Sequence, residues 1–246
     1  FCEKVLNSLK NLQELRLLLD DTLVTDKGWS AIFKTVKQNP KPFKTLALSM
    51  GQNNVTDASF EEFACQIVPL LENLEEFGIW IRDTKITDKS LVPLCQNMKP
   101  FASKLKYFAL LLGRTATSDE MVNTFALEVA PLMVRVEEFS FGFSETKVTD
   151  ESLINLFSNI ATAKSFSKIK KIELSSSKTC ITDKSVSIFA NGVLPMMTQL
   201  QSFKFSSDQT NLPNLQDLFN NLSVAKTHLK SLTVCLDETE IGDQSV

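Results

Sequence analysis

The sequence is poor in the residues that most catalytic centres and metal sites need. Its 246 residues include one histidine, His228, and seven glycines that are spread singly. It contains neither a glycine-rich phosphate-binding motif nor an HExxH motif, and its five cysteines form no CxxC pair. The residues therefore offer no catalytic group, no cofactor-binding group and no metal ligand set, and we predict a chain that is not an enzyme.

Neither charge nor hydropathy points to a charged or lipid partner. Lys and Arg number 26 against 29 Asp and Glu, a net charge of −3, which argues against the clustered basic face of a nucleic-acid-binding protein. No apolar run approaches the roughly 18 residues of a membrane span. An odd number of cysteines without a disulfide or zinc spacing predicts reduced thiols. We therefore expect a cytoplasmic chain, with nuclear and cytoskeletal locations as alternatives, that binds neither nucleic acid nor membrane.

A period of 31 residues is the strongest signal in the sequence. An apolar residue, here called position 0, is followed by apolar residues at positions 3, 5 and 7. Position 0 falls at Leu12, Phe43, Leu74, Leu105, Val136, Ile169, Leu200 and Leu229. A repeat of this length indicates a solenoid. The alternation of apolar residues predicts one short strand in each repeat, with one face buried, and eight such strands stacked in parallel.

Two polar signatures follow each predicted strand. Position 10 is Thr in every repeat except the second, which has Asn53, and we predict that these side chains point inward and hydrogen-bond backbone groups from turn to turn. Positions 12 to 14 read Val-Thr-Asp or Ile-Thr-Asp in most repeats, as in 24–26; repeats four and seven carry weaker versions at 117–119 and 212–214. The Thr-Asp pair predicts the start of a helix, with one of the two residues as N-cap.

These repeats resemble the leucine-rich repeat family, most closely the ribonuclease-inhibitor-like and cysteine-containing class. The resemblance covers essentially all of residues 1–246 and implies an α/β solenoid with a concave parallel sheet and convex helices. Spacing supports this curvature, since strands lie about 4.8 Å apart and helices about 8–10 Å apart. Two departures stand out: Thr replaces the usual Asn or Cys at position 10, and the turn is about two residues longer.

The ends of the chain resemble interior repeats. Phe1 aligns with Phe63 in the middle of a helix, and residues 241–246 align with the start of another helix. Neither end shows the polar repeat that normally caps a solenoid. We therefore expect one repeat domain over 1–246 that belongs to a longer chain, with further repeats or a cap on both sides.

Repeats also alternate in type, with a period of two. One type ends its helix with a proline, as at Pro69, which predicts a break in the helix just before it. Strands alternate in charge near their start, with acids such as Glu75 and Glu137 against bases such as Lys106 and Lys170. We predict that these opposite charges lie side by side and stabilise the sheet by about 0.2–1 kcal/mol per pair.

The candidate binding residues lie at the outward-facing positions of the predicted sheet. Position 6 carries Leu18, Trp80 and Leu111, and Arg82 stands at position 8. An exposed tryptophan with small neighbours and a nearby arginine is typical of a binding hot spot. The alternative is that a turn or a flanking domain covers Trp80.

The resulting prediction is a protein-binding scaffold or recognition module that contacts its partner through these four residues. The family resemblance leaves two alternatives: the substrate-receptor part of a ubiquitin ligase, and the repeat domain of a larger enzyme such as a kinase.

Overall fold

The predicted parallel sheet is confirmed. A computed structural model describes residues 2–225 and 228–242, and within these ranges eight parallel strands pair in chain order. The strands are β1 Glu14–Leu18, β2 Thr45–Ser49, β3 Glu76–Trp80, β4 Tyr107–Leu111, β5 Glu138–Gly142, β6 Lys171–Ser175, β7 Ser202–Ser206 and β8 Ser231–Cys235. Each begins two residues after its position 0. The chain is therefore an α/β leucine-rich-repeat solenoid of about eight repeats.

Helical segments connect successive strands along the opposite side of the solenoid. The α-helices are α1 Asp26–Gln38, α2 Asp57–Glu62, α3 Asp88–Asn97, α4 Lys99–Ala102, α5 Asp119–Glu128, α6 Asp150–Ala163, α7 Asp183–Ile188 and α8 Gln216–Ala225. Turns of π-helix span Cys2–Leu6, Phe63–Ile67 and Phe189–Val193, and 3₁₀ turns span Val68–Leu70, Ala130–Leu132 and Leu194–Met196. The α-helix gives way before each proline of these 3₁₀ turns, as the repeat pattern predicts.

One hydrophobic core runs the length of the solenoid. The parallel register joins equal repeat positions, for example Phe77 to Phe108 and Phe108 to Phe139. The rings of Phe108 and Phe139 stack at 5.4 Å, and that of Phe166 lies 4.6 Å from Phe139. At position 3, side chains of the first seven strands are at most 5% exposed, whereas Leu232 in the edge strand β8 is 53% exposed. The core is thus shared between neighbouring repeats and is open at β8.

The position-10 side chains hydrogen-bond backbone groups as predicted, but mostly within their own turn. The Thr84 hydroxyl donates to the Ile81 carbonyl at 2.7 Å, and the Thr115 hydroxyl donates to the Leu112 carbonyl at 2.7 Å. The expected bond from turn to turn is made by Asn53, whose Nδ2 donates to the Leu19 carbonyl at 2.6 Å. A threonine hydroxyl sits one bond from Cβ and reaches only its own turn, whereas an asparagine amide reaches one repeat further.

A recurrent link between repeats is made by the aspartates that begin five of the α-helices. Asp26 Oδ1 accepts from the Thr56 N–H at 2.9 Å and from the Ser59 hydroxyl at 2.6 Å, and Oδ2 accepts from the Thr56 hydroxyl at 2.8 Å. Burial acts to raise the pKa of Asp26, but the hydrogen bonds from Ser59 and Thr56 outweigh it and hold this pKa below its ordinary value. The same link recurs with carboxylates of the following helices, at Asp57, Asp88, Asp119 and Asp150.

In five repeats the threonine or serine before the first aspartate of the helix caps that helix, which confirms the predicted N-cap there, whereas the Thr25 side chain before α1 makes no cap hydrogen bond. Thr56 accepts from the Ala58 N–H at 3.1 Å, and Thr87, Ser118, Thr149 and Thr182 act likewise. Where both contacts form, the threonine or serine caps its own helix and the aspartate accepts hydrogen bonds from the next repeat.

Candidate protein-binding surface on the concave sheet

Three of the predicted binding residues lie in one row across the sheet. In β2 to β7 the side chains at positions 3 and 5 are buried against the helices, so those at positions 2, 4 and 6 face the other, concave side. The register aligns Leu18 with Ser49, Ser49 with Trp80, and Trp80 with Leu111. Leu18 is 68% exposed, and Trp80 and Leu111 are half-buried. Arg82 follows β3 by two residues and is exposed.

The six-membered ring of the Trp80 indole lies over Gly78, which is possible because position 78 has no side chain. A Cβ placed on Gly78 would lie 2.3 Å from Trp80 Cη2 and 2.5 Å from Cζ3. The flanking residues in this row, Ala47 and Ala109, are also small. Trp80 therefore rests on the backbone at Gly78 and remains partly exposed.

Strand β2 contributes nothing that projects into this surface. Its outward residues Thr45 and Ser49 are each 5% exposed. The Thr45 hydroxyl donates to Glu76 at 3.2 Å, and the Ser49 hydroxyl donates to Asp20, which also accepts from the Gly51 N–H at 2.8 Å. Leu18 and Trp80 consequently stand on either side of a low, covered strand.

Arg82 carries the positive charge next to this row. Its side chain is 56% exposed, and its Nε lies 3.4 Å from Asp83 Oδ2. Arg114 competes for the same carboxylate, since its Nη1 lies 3.1 Å from Asp83 Oδ1 and 3.2 Å from Oδ2. Arg114 also donates from Nε to Glu145 at 2.9 Å, and the hydrogen bond to Glu145 and the charge of Asp83 raise its pKa. Arg114 is thus doubly paired, while Arg82 has one long contact.

A cleft of about 170 Å³ opens beside Arg82 and Leu111. Gly113 and Gly142 form its floor, and Ser144 and Ser175 line its far side. The methylenes of Arg82 lie along this floor, since a Cβ on Gly113 would stand 3.4 Å from Arg82 Cγ. A Cβ on Gly142 would lie 2.8 Å from Leu111 Cδ2, so the two glycines let the Leu111 and Arg82 side chains lie close to the backbone at the edge of the cleft.

Most other charges on this face pair across neighbouring strands, as the alternating sequence predicts. Lys106 Nζ lies 2.6 Å from Glu75, and Lys170 Nζ lies 2.7 Å from Glu137. These hydrogen bonds lower the pKa of Glu75 and Glu137. Further pairs join Arg16 to Glu76 at 2.7 Å and Lys204 to Glu173 at 2.5 Å. The pairs leave little uncompensated charge on the sheet.

Tyr107 belongs to the same face and was not among the predicted residues. It occupies position 2 of the fourth repeat and is half-buried, and burial together with the charge of Glu138 raises the pKa of its phenol. The sequence carried a signal for it, because Tyr107 is the only tyrosine of the chain and shares the parity of Trp80. It adds a second aromatic side chain to the concave face, on β4, which pairs with the strand of Trp80.

The concave face changes character beyond β4. Position 6 is Gly142 in β5 and then serine in β6 and β7. The Ser144 and Ser175 hydroxyls lie 2.7 Å apart, and the Ser177 hydroxyl donates to Asp208 at 3.1 Å. At position 6, β1, β3 and β4 therefore present large apolar side chains, whereas β6 and β7 present serines whose hydroxyls are hydrogen-bonded.

The described ranges hold no cluster of three side chains suited to a metal ion, and none of their helices is long and apolar enough to cross a membrane. Within them Cys65, Cys95, Cys180 and Cys235 are free thiols, and burial raises the pKa of Cys95. His228 is exposed, in the connection before β8. The end-of-chain alignments that involve Phe1 and residues 243–246 lie outside the described residues.

Comparison with known proteins adds a structural likeness and no family assignment. No protein-family model matches the sequence, and the search of curated proteins found no match. Among solved structures, an internalin (inlF) from Listeria monocytogenes aligns at 16% identity over 97% of this chain and 71% of that chain, with a TM-score of 0.42. So distant a likeness says nothing about a partner, and the leucine-rich-repeat fold rests on the repeats and on the parallel sheet.

Proposed function

We propose that this chain is a non-enzymatic recognition module that binds a protein partner on the concave face of its first four strands. The observation that carries the proposal is the row of Leu18, Trp80 and Leu111 beside Arg82. Leu18 is exposed there and Trp80 and Leu111 are partly exposed, on a face whose other charges are mostly paired.

The energetics favour this row over the rest of the sheet. Burying apolar surface stabilises a complex by roughly 25 cal/mol per Å², and Trp and Arg are the residues most enriched in binding hot spots. Because the side chains stand on paired strands and the Trp80 ring rests on Gly78, little conformational freedom remains to be lost on binding.

We further assign the repeats to the ribonuclease-inhibitor-like class, which is supported by the 31-residue period and by an α-helix in each complete repeat. The reduced cysteines favour a cytoplasmic location. The pairing of the basic concave side chains speaks against a nucleic-acid partner, because a carboxylate on the neighbouring strand compensates the charge of each paired lysine.

The proposal is tested by affinity purification of partners with the wild-type chain and with Trp80→Ala. The variant should lose about 2 kcal/mol or more of binding free energy if Trp80 is a hot spot. Its unfolding midpoint should change little, because the side chain lies on the concave face, outside the hydrophobic core.

The chain offers a matched control for the choice of face. Leu18 on the concave sheet and Leu127 on helix α5 are both 68% exposed. Leu18→Ala should weaken binding of the partner, and Leu127→Ala should leave it unchanged. Partner retention that depends on Leu127, and not on Leu18 or Trp80, would place the interface on the helices and overturn the proposal.

A further inference from the structure

Arg82 differs from the other cations that border the apolar row. Arg16 and Lys106 lie 2.7 Å and 2.6 Å from their carboxylate partners. Arg82 has only the 3.4 Å contact of its Nε, and Asp83 at the other end of that contact already accepts from Arg114. In the described part of the chain both Nη groups of Arg82 have no hydrogen-bond partner. A planar fork of N–H donors is thus free, and this fork matches a carboxylate.

Lys171 is also loosely paired, at 3.9 Å from Glu138, but it lies at the start of β6, three strands from Trp80. No large apolar side chain lies next to it in register, since its two neighbours there are Glu138 and Ser202. A cation with apolar surroundings is therefore found at Arg82 and not at Lys171.

The cleft beside Arg82 has the size of one side chain. Its volume is about 170 Å³, and a cavity of about 150 Å³ is enough to hold benzene. Its walls include Leu111, and its floor at Gly113 and Gly142 carries no side chain. An apolar group that enters would contact Leu111 and the Arg82 methylenes.

The charged groups around the cleft disfavour a basic occupant. Glu145 and Glu173 line it, but Glu145 accepts from Arg114 at 2.9 Å and Glu173 accepts from Lys204 at 2.5 Å. A lysine or arginine from a partner would have to displace one of these cations. A carboxylate would meet the unused fork of Arg82 without displacing anything.

We propose that the partner docks with an acidic segment, in which an apolar side chain fills the glycine-floored cleft and the carboxylate of a nearby Asp or Glu binds the Arg82 guanidinium. This inference rests on the proposed concave-face function and specifies the chemistry of its partner. It also makes Arg82 and Gly113 determinants of which partner is accepted.

The probe is a phage-displayed library of random linear peptides, selected on the intact chain. Enriched peptides are synthesised, and their Kd is measured by fluorescence anisotropy against the wild type and variants. The enriched sequences should share an Asp or Glu close to an apolar residue. Arg82→Gln should raise the Kd of these peptides about tenfold or more, because a bidentate charge-assisted contact is lost. Lys171→Gln removes a loosely paired charge from the same face and should change Kd by less than about twofold.

The cleft is tested by filling its floor. At Gly113 an added Cβ meets Arg82 Cγ and the Ser144 carbonyl oxygen at 3.4 Å, so Gly113→Ala is compatible with the fold. The added methyl group occupies the space of the incoming side chain and should raise the Kd of the peptides about tenfold. Gly192→Ala is the matched control, since its Cβ stands 3.5 Å from the Ala161 Cβ, away from the sheet.

The outcomes separate this inference from the function on which it rests. Neutral or basic peptides that require Trp80 but tolerate Arg82→Gln would overturn the acidic segment and leave concave-face binding intact. Acidic peptides that bind Gly113→Ala as tightly as the wild type would overturn the occupied cleft. Selected peptides that ignore Trp80, Leu111 and Arg82 altogether would overturn both proposals.

Discussion

The aspartate at the start of helix α5 provides a direct test of what joins one repeat to the next. Asp119 Oδ1 accepts from the Thr149 N–H at 2.8 Å and from the Ser152 hydroxyl at 2.5 Å. Oδ2 accepts from the Thr149 hydroxyl at 2.7 Å. Asp119→Ala removes all three acceptor contacts and leaves the backbone of its own helix unchanged.

The expected loss of stability follows from where the three donors lie. Ser152 is fully buried, and a buried hydroxyl without its main partner costs about 1–3 kcal/mol. Thr149 is half-exposed, so water replaces much of what its N–H and hydroxyl lose, at about 0.5–1 kcal/mol. The negative charge at a helix N-terminus contributes about 0.3–1 kcal/mol more. We expect Asp119→Ala to lower the unfolding free energy by about 2–5 kcal/mol in total.

The control is Asp183, the same residue type at the first position of helix α7. The next repeat has Pro213 and Asn214 where others have a threonine and an aspartate, and within the described residues the Asp183 carboxylate has no hydrogen-bond partner there. Asp183→Ala should therefore cost only the helix-dipole contribution of about 0.3–1 kcal/mol. Urea denaturation gives both values, and hydrogen exchange at Thr149 locates the effect. Equal losses in the two variants would refute the inter-repeat link.

Three further predictions concern the turn, the tryptophan and the acid response. Thr146→Val should lower the unfolding free energy by about 1–3 kcal/mol in urea titrations, because the Phe143 carbonyl loses the hydroxyl that donates to it at 2.5 Å; an unmoved midpoint would show that water replaces it. Gly78→Ala should displace the Trp80 indole, red-shift its fluorescence and weaken the partner, whereas an unchanged spectrum would contradict the seat on Gly78. Because folding lowers the pKa of Asp26, its charge stabilises the fold above the ordinary value and this contribution is lost as pH falls through the folded pKa. The advantage of the wild type over Asp26→Asn should therefore shrink below about pH 4, and a constant difference would rule this out.

The 31-residue period predicted most of the fold. In every repeat the observed strand begins two residues after the predicted position 0. What the sequence did not reveal was the function of the aspartate, since Val-Thr-Asp has the form of an ordinary N-cap. A signal existed in a recurrent serine at position 16, at Ser59, Ser90, Ser152 and Ser185, which is the residue that binds the preceding aspartate.

The candidate site was only partly predictable, for a physical reason. Strand parity alone placed Leu18, Trp80 and Leu111 on one face, and the structure aligns them in one row. Parity gives the face of the sheet but not the rotamer of a side chain, so neither the position of the Trp80 ring over Gly78 nor the double pairing of Arg114 could be predicted from the sequence. The cleft depends on both the glycines and the position of the Arg82 side chain, and that position follows from the three-dimensional fold.

The contrast between the two halves of the concave face decides where binding energy can come from. A hydroxyl that already has a partner gains little when a second protein arrives, since one hydrogen bond replaces another. Ser144 and Ser175 are such a pair, at 2.7 Å, whereas Leu18 gains the full transfer of its exposed surface from water. We therefore expect Ser206→Ala, which changes a self-bonded serine of β7 at the same position 6, to alter partner Kd by less than about twofold, against about fivefold or more for Leu18→Ala. Isothermal titration with both variants measures the gradient. A larger loss at Ser206 would mean that the partner reads the hydroxyls, and that the interface lies on the later strands.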